Sequence, residues 1–386
     1  MKKRRLTKFG KFIIVFIICF LFGSSLSFYC LLRKSVKTSK KSSPKTEVVS
    51  KKEMDVSLVM VGDALIHDTI YNDAYSDYGY DFKPMLRMIK PIVAKYDLKY
   101  YNQETVLGGT SLGLSSYPRF NSPYEVGDAF IDSSFNLVSL ATNHTMDKGE
   151  EGALNSYHYF QKYKDVYTAG SYDSFEARNK VVIKEIKGIK YAFFAYTTWT
   201  NGLSTPEGKE YLNNVYSDEV AKNDILKVKD KVDVIIVAMH WGIEYSTDIS
   251  SDQERIANYL ASLGVNIIIG SHPHVVEPID FIGNTMVVYS LGNFISDQDT
   301  TLKLTGLMAS VNIHKEVNDD KVTIELRNPQ AELLYTSSAK SGKRNFVVYP
   351  YTELTDEILP NYKTYYNQYK SIVLAKNQNI KMPVIE

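Results

Sequence analysis

Five of the seven histidines in this 386-residue chain follow short apolar runs and sit beside Asp, Asn or Glu. Val56–Val61 leads into Gly62-Asp63, with His67 shortly after, and Leu98–Tyr101 leads into Asn102-Gln103-Glu104. Leu137–Ala141 leads into Thr142-Asn143-His144, with Asp147 next, and Val234–Met239 into His240-Trp241-Gly242-Ile243-Glu244. Val265–Ile269 is followed by Gly270-Ser271-His272-Pro273-His274, and Met286–Tyr289 by Ser290-Leu291-Gly292-Asn293-Phe294. A lone histidine is usually a hydrogen-bonded core or surface residue. Imidazoles, carboxylates and an amide repeated after several strand-like runs form a different pattern, a donor set suited to zinc, manganese or iron.

Such residues converge only if the runs are strands of one α/β fold, because functional groups collect at the carboxyl ends of strands in these folds. The runs have strand length and β-branched content. Amphipathic stretches such as Gln253–Leu263 lie between them, apolar at Ile256, Ala257, Leu260 and Leu263. Strand and helix therefore alternate, which predicts a layered α/β sandwich with helices outside. Lys180–Ile186 and Lys190–Tyr196 flank Lys187-Gly188-Ile189, a hairpin signal. Gly306–Ile313 and Lys321–Leu326 predict a second antiparallel pair, joined through Asn318-Asp319-Asp320. Pro273 disfavours helix at His272, so the segment is expected to be extended, with His272 and His274 on one side. Asn143 and His144 are neighbours and should diverge, one toward metal and the other toward substrate.

The N-terminus has its own character. Residues 1–11 carry Lys2, Lys3, Arg4, Arg5, Lys8 and Lys11, a basic tail without acids. Phe12–Leu32 is uncharged and as a helix spans about 31 Å, close to a bilayer core. It is expected to be one transmembrane helix; Gly23, Ser24, Ser25 and Ser27 make a cleaved signal peptide, and hence secretion, the alternative. Basic residues follow the span as well, so charge alone does not orient it. Residues 33–53 read as a flexible stalk, 54–340 as the catalytic-type domain and 341–386 as a C-terminal extension ending in a helix and a loose end.

Composition removes several classes. The chain is 44% hydrophobic and 23% charged with a net charge of +1, which excludes wholesale disorder and offers no basic field for nucleic acid. Both cysteines, Cys19 and Cys30, lie in the apolar N-terminal segment, so the rest has neither disulfides nor a cysteine metal site. The 29 tyrosines suit half-buried strands.

The order of the motifs resembles the CapA-type poly-γ-glutamate capsule synthesis proteins, within the calcineurin-like metallophosphoesterase superfamily. The resemblance runs through Val61-Gly62-Asp63, Asn102-Gln103-Glu104, Thr142-Asn143-His144-Thr145-Met146-Asp147, His240-Trp241-Gly242-Ile243-Glu244, Gly270-Ser271-His272-Pro273-His274 and Tyr289-Ser290-Leu291-Gly292-Asn293-Phe294, across residues 56–298. It implies two divalent transition-metal ions (Mn, Fe or Zn) bridged by Asp63. By position, His67 and His274 serve the first ion, and Asn143, His240 and His272 the second. Glu104 stands where classical members carry an aspartate ligand, and His67 follows Asp63 by four residues where they place a histidine after two. His144 takes the role of the acid that protonates a leaving group. Asp147, Glu244 and Asn293 orient ligands or face substrate, and Trp241 either walls the pocket or packs beneath the loop.

Three functional expectations follow. The first is a single-pass, membrane-anchored component of capsule or exopolymer synthesis or export. Its domain would lie outside the cytoplasm, acting on an anionic polymer beside a capsule-synthesis ligase and membrane subunits. The second is a metal-dependent phosphoesterase or γ-glutamyl amide hydrolase unrelated to capsule. The third is a polymer-binding module with a structural metal.

Overall fold

The computed structural model describes residues 7–11, 13, 14, 18 and 51–385, except 320, 340 and 341. The expected basic tail, membrane span and stalk lie almost entirely outside the described residues. Among the described residues no helix is long and apolar enough to cross a membrane. Residues 51–386 form one compact unit.

Two mixed sheets dominate this unit. The first contains β1 (Lys51–Ala64), β4 (Leu98–Asn102), β5 (Leu137–Ser139), β6 (Tyr167–Ala169), β13 (Asn293–Ile295), β14 (Thr305–Asn318), β15 (Lys321–Ser337) and β16 (Val347–Pro350). Its order is β16-β15-β14-β1-β4-β5-β6, with β13 also pairing β1. The second contains β7 (Lys184–Ile186), β8 (Ile189–Thr197), β9 (Val234–His240), β10 (Ile267–Ser271), β11 (Ile279–Ile282) and β12 (Thr285–Val288), in the order β11-β12-β10-β9-β8-β7. A small hairpin of β2 (Tyr75–Ser76) and β3 (Gly79–Tyr80) stands apart.

Alternation along the strands explains the layering. On β9, Val234, Ile236 and Ala238 face the inter-sheet core, together with Val56, Leu58 and Met60 of β1. The intervening Ile235, Val237 and Met239 face the helices Asp218–Val228 and Ser251–Leu263, through Ile225, Ile256 and Leu260. On β1, Val59 and Val61 face the other way, toward Val126, Phe130, Tyr159 and Phe160 of the helices Glu125–Asp132 and Gly149–Phe160. The result is helix, sheet, sheet, helix. Each large apolar side chain buried this way contributes about 1.5–3 kcal/mol.

Local signals account for several boundaries. Ser250 and Gln253 form a reciprocal capping box at the start of Ser251–Leu263, and Gly264 ends the helix in the left-handed region. The hairpin expected around Gly188 is β7 and β8, paired antiparallel through Ile186 and Ile189. Its first strand is shorter than expected, because residues 180–183 are irregular and only Lys184–Ile186 pairs. The second antiparallel pair is present and longer, as β14 and β15. The C-terminal segment set apart at residue 341 supplies β16, which pairs β15, and the helix Tyr362–Val373. Tyr366, Tyr369 and Val373 of that helix join the inter-sheet core.

Candidate metal centre

Strand register brings the chemistry to one end of the sandwich. Asp63 on β1 is aligned with Asn102 on β4 and with Asn293 on β13. In the other sheet His240 at the end of β9 is aligned with Ser271 on β10 and Thr197 on β8. Two glycines permit the close approach. A Cβ on Gly62 would stand 1.8 Å from the Gly292 carbonyl oxygen, and one on Gly270 1.8 Å from that of Tyr289. Neither space accepts a side chain without moving backbone.

The centre is built around buried acids. Asp63 and Glu104 are both fully buried. Asp63 Oδ1 accepts from Asn102 Nδ2 at 2.8 Å, and its Oδ2 accepts from the His272 backbone N–H at 3.2 Å. His274 Nδ1 lies 3.4 Å from the same Oδ2. Glu104 Oε1 is 3.4 Å from His274 Nε2 and 3.7 Å from His240 Nε2. Glu104, His272 and His274 each offer a ligand atom within 4.8 Å of the others.

These residues fit a metal. Among the described residues, both Glu104 oxygens and His272 Nδ1 are buried without a hydrogen-bond partner, as is Asn102 Oδ1. Such groups are costly to bury unless something satisfies them, and a divalent cation does so for carboxylate and imidazole together. The electrostatics agree. Burial and the neighbouring Asp63 carboxylate push Glu104 well above the usual carboxylate range, against the pull of His274. Burial and the other imidazoles hold His240 well below its ordinary value and His272 down to about 3. Burial opposes charge on His274 too, but Glu104 and Asp63 outweigh it and raise it to about 9. A metal-free centre thus retains protons that cation binding displaces.

Asn143 and His144 diverge as neighbours should. Asn143 Oδ1 is 2.9 Å from His240 Nε2, and His240 Nδ1 is 3.1 Å from Ser271 Oγ. His144 points elsewhere: its Nδ1 is 2.6 Å from Asp147 Oδ2, and its ring meets Phe120 edge-on at 4.8 Å. Asn293 Oδ1 lies 3.0 Å from His274 Nδ1 and its amide nitrogen donates to the Lys303 carbonyl, so it orients that histidine.

Other expected residues occupy different places. His67 is half-buried at the start of the helix Asp68–Ala74, with Nδ1 3.1 Å from both the Leu65 carbonyl and the Asp297 N–H. Burial lowers it to about 4. It lines a cleft with His144 and His274 and is not one of the three residues whose ligand atoms cluster. Trp241 is buried with its indole N–H donating to the Tyr289 carbonyl at 2.9 Å, and it also lines a cleft beside His272, so both expectations for it hold. Glu244 is exposed on the wall of two clefts. The extended conformation expected at His272 is absent, since His272 and His274 have φ of +96° and +59°. The sharp loop between strand ends, anchored by the His272 N–H on Asp63, overrides the preference set by Pro273, and still brings both imidazoles to the centre.

Sequence reasoning quoted Asn102 but gave it no role, although it stands two residues before Glu104 at a strand end, where parity places both on one face. Ser271 was equally visible within its motif. Asn201 was not: its amide lies 3.2 Å from Asn143 and 3.5 Å from His144 Nδ1, yet it comes from an exposed loop with no strand-end signal.

The model of the bacterial capsule synthesis protein PGA_cap family matches residues 57–298. The PGA biosynthesis protein CapA of Bacillus subtilis is 33% identical over 172 residues, 44% of this chain and 45% of that protein. The capsule biosynthesis protein CapA of Bacillus anthracis is 27% identical over 256 residues, 64% of this chain and 61% of that protein. The chain therefore spans less than two thirds of the length of these curated relatives. Among solved structures, a putative 5'-nucleotidase from Staphylococcus aureus aligns with 82% of this chain and 58% of its own, at 14% identity and a TM-score of 0.45. A 5'-nucleotidase from Candida albicans aligns with 69% of this chain and 52% of its own, at 16% identity and a TM-score of 0.40.

Proposed function

The chain belongs to the bacterial capsule synthesis protein PGA_cap family, and from that premise we propose that its histidine–carboxylate centre binds two divalent transition-metal ions and serves the making or export of an anionic capsule polymer of the poly-γ-glutamate type. The observation that carries the metal reading is Glu104, fully buried with neither oxygen hydrogen-bonded among the described residues and within reach of His272 and His274. Asp63, Glu104, His272 and His274 would hold one ion, and Asp63, Asn143 and His240 the other. When bound, the ions polarise a phosphoryl or acyl oxygen and make bound water nucleophilic near neutral pH.

The chain's own groups supply the rest. The Asp147 carboxylate at His144 Nδ1 fixes the ring, offsets its charge when protonated and leaves Nε2 to pass a proton to a departing oxygen or nitrogen. Phe120 holds the ring from the side. The segment Phe12–Leu32 anchors the chain, with residues 51–386 outside the cytoplasm, beside a ligase and membrane subunits.

Metal content of the full chain, purified in detergent and reconstituted with Mn, Fe or Zn, tests the centre; about one to two ions per chain are expected. No bound metal after reconstitution refutes it. Turnover of an aryl phosphate and of a γ-glutamyl polymer by the loaded protein then separates a hydrolase from a binding module with a structural metal.

A further inference from the structure

A second cluster of metal-ligating side chains lies toward the start of β1, whereas Asp63 lies near its end, about 30 Å away along an extended strand. Strand register assembles it. In the antiparallel pair of β1 and β14, Glu53 is aligned with Glu316 and Asp55 with His314. Directly opposed residues share a face of a sheet, and so do alternate residues of one strand, so these four side chains emerge on the same side. Glu53, His314 and Glu316 each offer a ligand atom within 4.8 Å of the others.

His314 sets this cluster apart from a surface patch of acids. It is only 2% exposed. Its Nδ1 lies 2.9 Å from Asp55 Oδ1, and its Nε2 is buried without a hydrogen-bond partner among the described residues. A carboxylate at one ring nitrogen holds the hydrogen there and leaves a lone pair on the other, as around metal-bound histidines. A buried lone pair that receives no hydrogen bond is costly. Charge agrees. Glu325 of β15 is aligned with His314, so the carboxylates of Glu53, Asp55, Glu316 and Glu325 share the face with only two nearby cations, Lys51 and Arg327. Arg327 is held by Glu325 at 2.6 Å. Lys51 Nζ lies 2.5 Å from Glu53 and 3.2 Å from Glu316, bridging the two carboxylates that a divalent ion would bridge. Lys51 is half-exposed, however, and exposed pairs of this kind contribute little.

From this geometry we propose a second metal site, in which Glu53, Glu316 and the His314 imidazole hold one divalent transition-metal ion of the zinc or manganese class, Asp55 orients the ring, and Lys51 turns out to solvent. An imidazole beside two carboxylates suits these ions better than calcium or magnesium, which favour oxygen ligands. The ion's role is structural. It ties the first residues of the compact unit, which begins at Lys51, to the strand they pair with. It acts independently of the centre at Asp63.

The test counts ions by difference. Tag-free full-length protein in detergent is loaded with zinc from a metal buffer, wild type beside Glu53→Gln/Glu316→Gln. Both carboxylates are partly exposed, so the variant should fold. It should hold one ion fewer than the wild type, whatever the centre retains. His314→Gln should weaken binding of that ion at least tenfold. Hydrogen exchange in residues 51–58 should slow when zinc is added to the wild type and stay unchanged in the double variant. Equal ion counts in the wild type and the double variant overturn the inference, as do unchanged zinc affinity and zinc-linked protection in His314→Gln. Neither result touches the reading of the centre, because Asp63, Glu104, Asn143, His240, His272 and His274 are intact in every protein compared.

Discussion

His144 Nδ1 lies 2.6 Å from Asp147 Oδ2, and that same carboxylate oxygen receives the Phe120 backbone N–H at 2.6 Å. One acid three residues downstream therefore sets both the orientation of the imidazole and the position of the aromatic ring that buttresses it. The other oxygen, Oδ1, is buried without a partner among the described residues. This carboxylate is a dedicated orienting group and not a solvated loop acid.

Replacing it with an amide tests that relationship. Asp147→Asn keeps the shape but removes the negative charge opposite Nδ1. Turnover by the metal-loaded protein should fall by roughly 10²-fold or more, while metal content stays at the wild-type value. A variant that loses metal as well would move Asp147 into the ligand set.

Glu104→Gln should separate stability from metal binding. In chelator, the wild-type protein buries a carboxyl whose two oxygens lack hydrogen-bond partners among the described residues, and burial holds that carboxyl in its protonated form. The neutral amide should therefore leave metal-free stability within about 1 kcal/mol of the wild type. In saturating metal the wild type should be the more stable, because it gains ligand-linked stability that the variant cannot. Melting temperatures of both proteins in chelator and in metal measure the difference.

Glu277 predicts a pH dependence. It is fully buried beside Gln253, which donates to Oε2 at 2.6 Å, and burial raises its carboxyl to about 8. The folded state therefore keeps a proton that the unfolded chain releases near pH 4.5. The sign follows: this group leaves stability intact below about pH 4.5 and removes it steadily as pH rises to about 8, by roughly 3–5 kcal/mol in all. Glu277→Gln should flatten that decline. Urea midpoints of the two proteins between pH 5 and 8 should diverge as pH rises, with the variant the more stable; parallel curves would show that Glu277 ionises freely.

Gly62→Ala addresses the strand approach beneath Asp63. The added methyl would stand 1.8 Å from the Gly292 carbonyl oxygen, where β1 and the segment before β13 meet. Backbone must move, at a cost of about 3 kcal/mol or more. Because Asp63 is the next residue, the displacement should lower metal affinity too, read by titration of the variant that remains folded.

Much of the centre was legible before any coordinates. The residue types after each apolar run, from Asp63 to Asn293, are metal and proton-transfer chemistry, and alternating strands and helices place strand ends on one side of a layered fold. That much is local: it depends on period, on β-branched content and on which residue follows a strand. The capping box at Ser250 and Gln253 and the turn at Lys187-Gly188 are likewise decided by neighbours in sequence.

Tertiary structure alone decided which of these residues meet. Register between strands far apart in sequence set Asp63 beside Asn102 and Asn293, and His240 beside Ser271. Loop conformation turned His272 and His274 inward through left-handed backbone that Pro273 argues against, and gave His67 to a cleft wall. Asn201 and the C-terminal strand and helix arrived from segments with no chemical signature of their own. The physical reason is the same in each case. The sequence by itself determined the donor types and the strand ends that carry them, since both follow from local preferences, whereas distances between donors depend on long-range pairing and packing, which no short segment encodes.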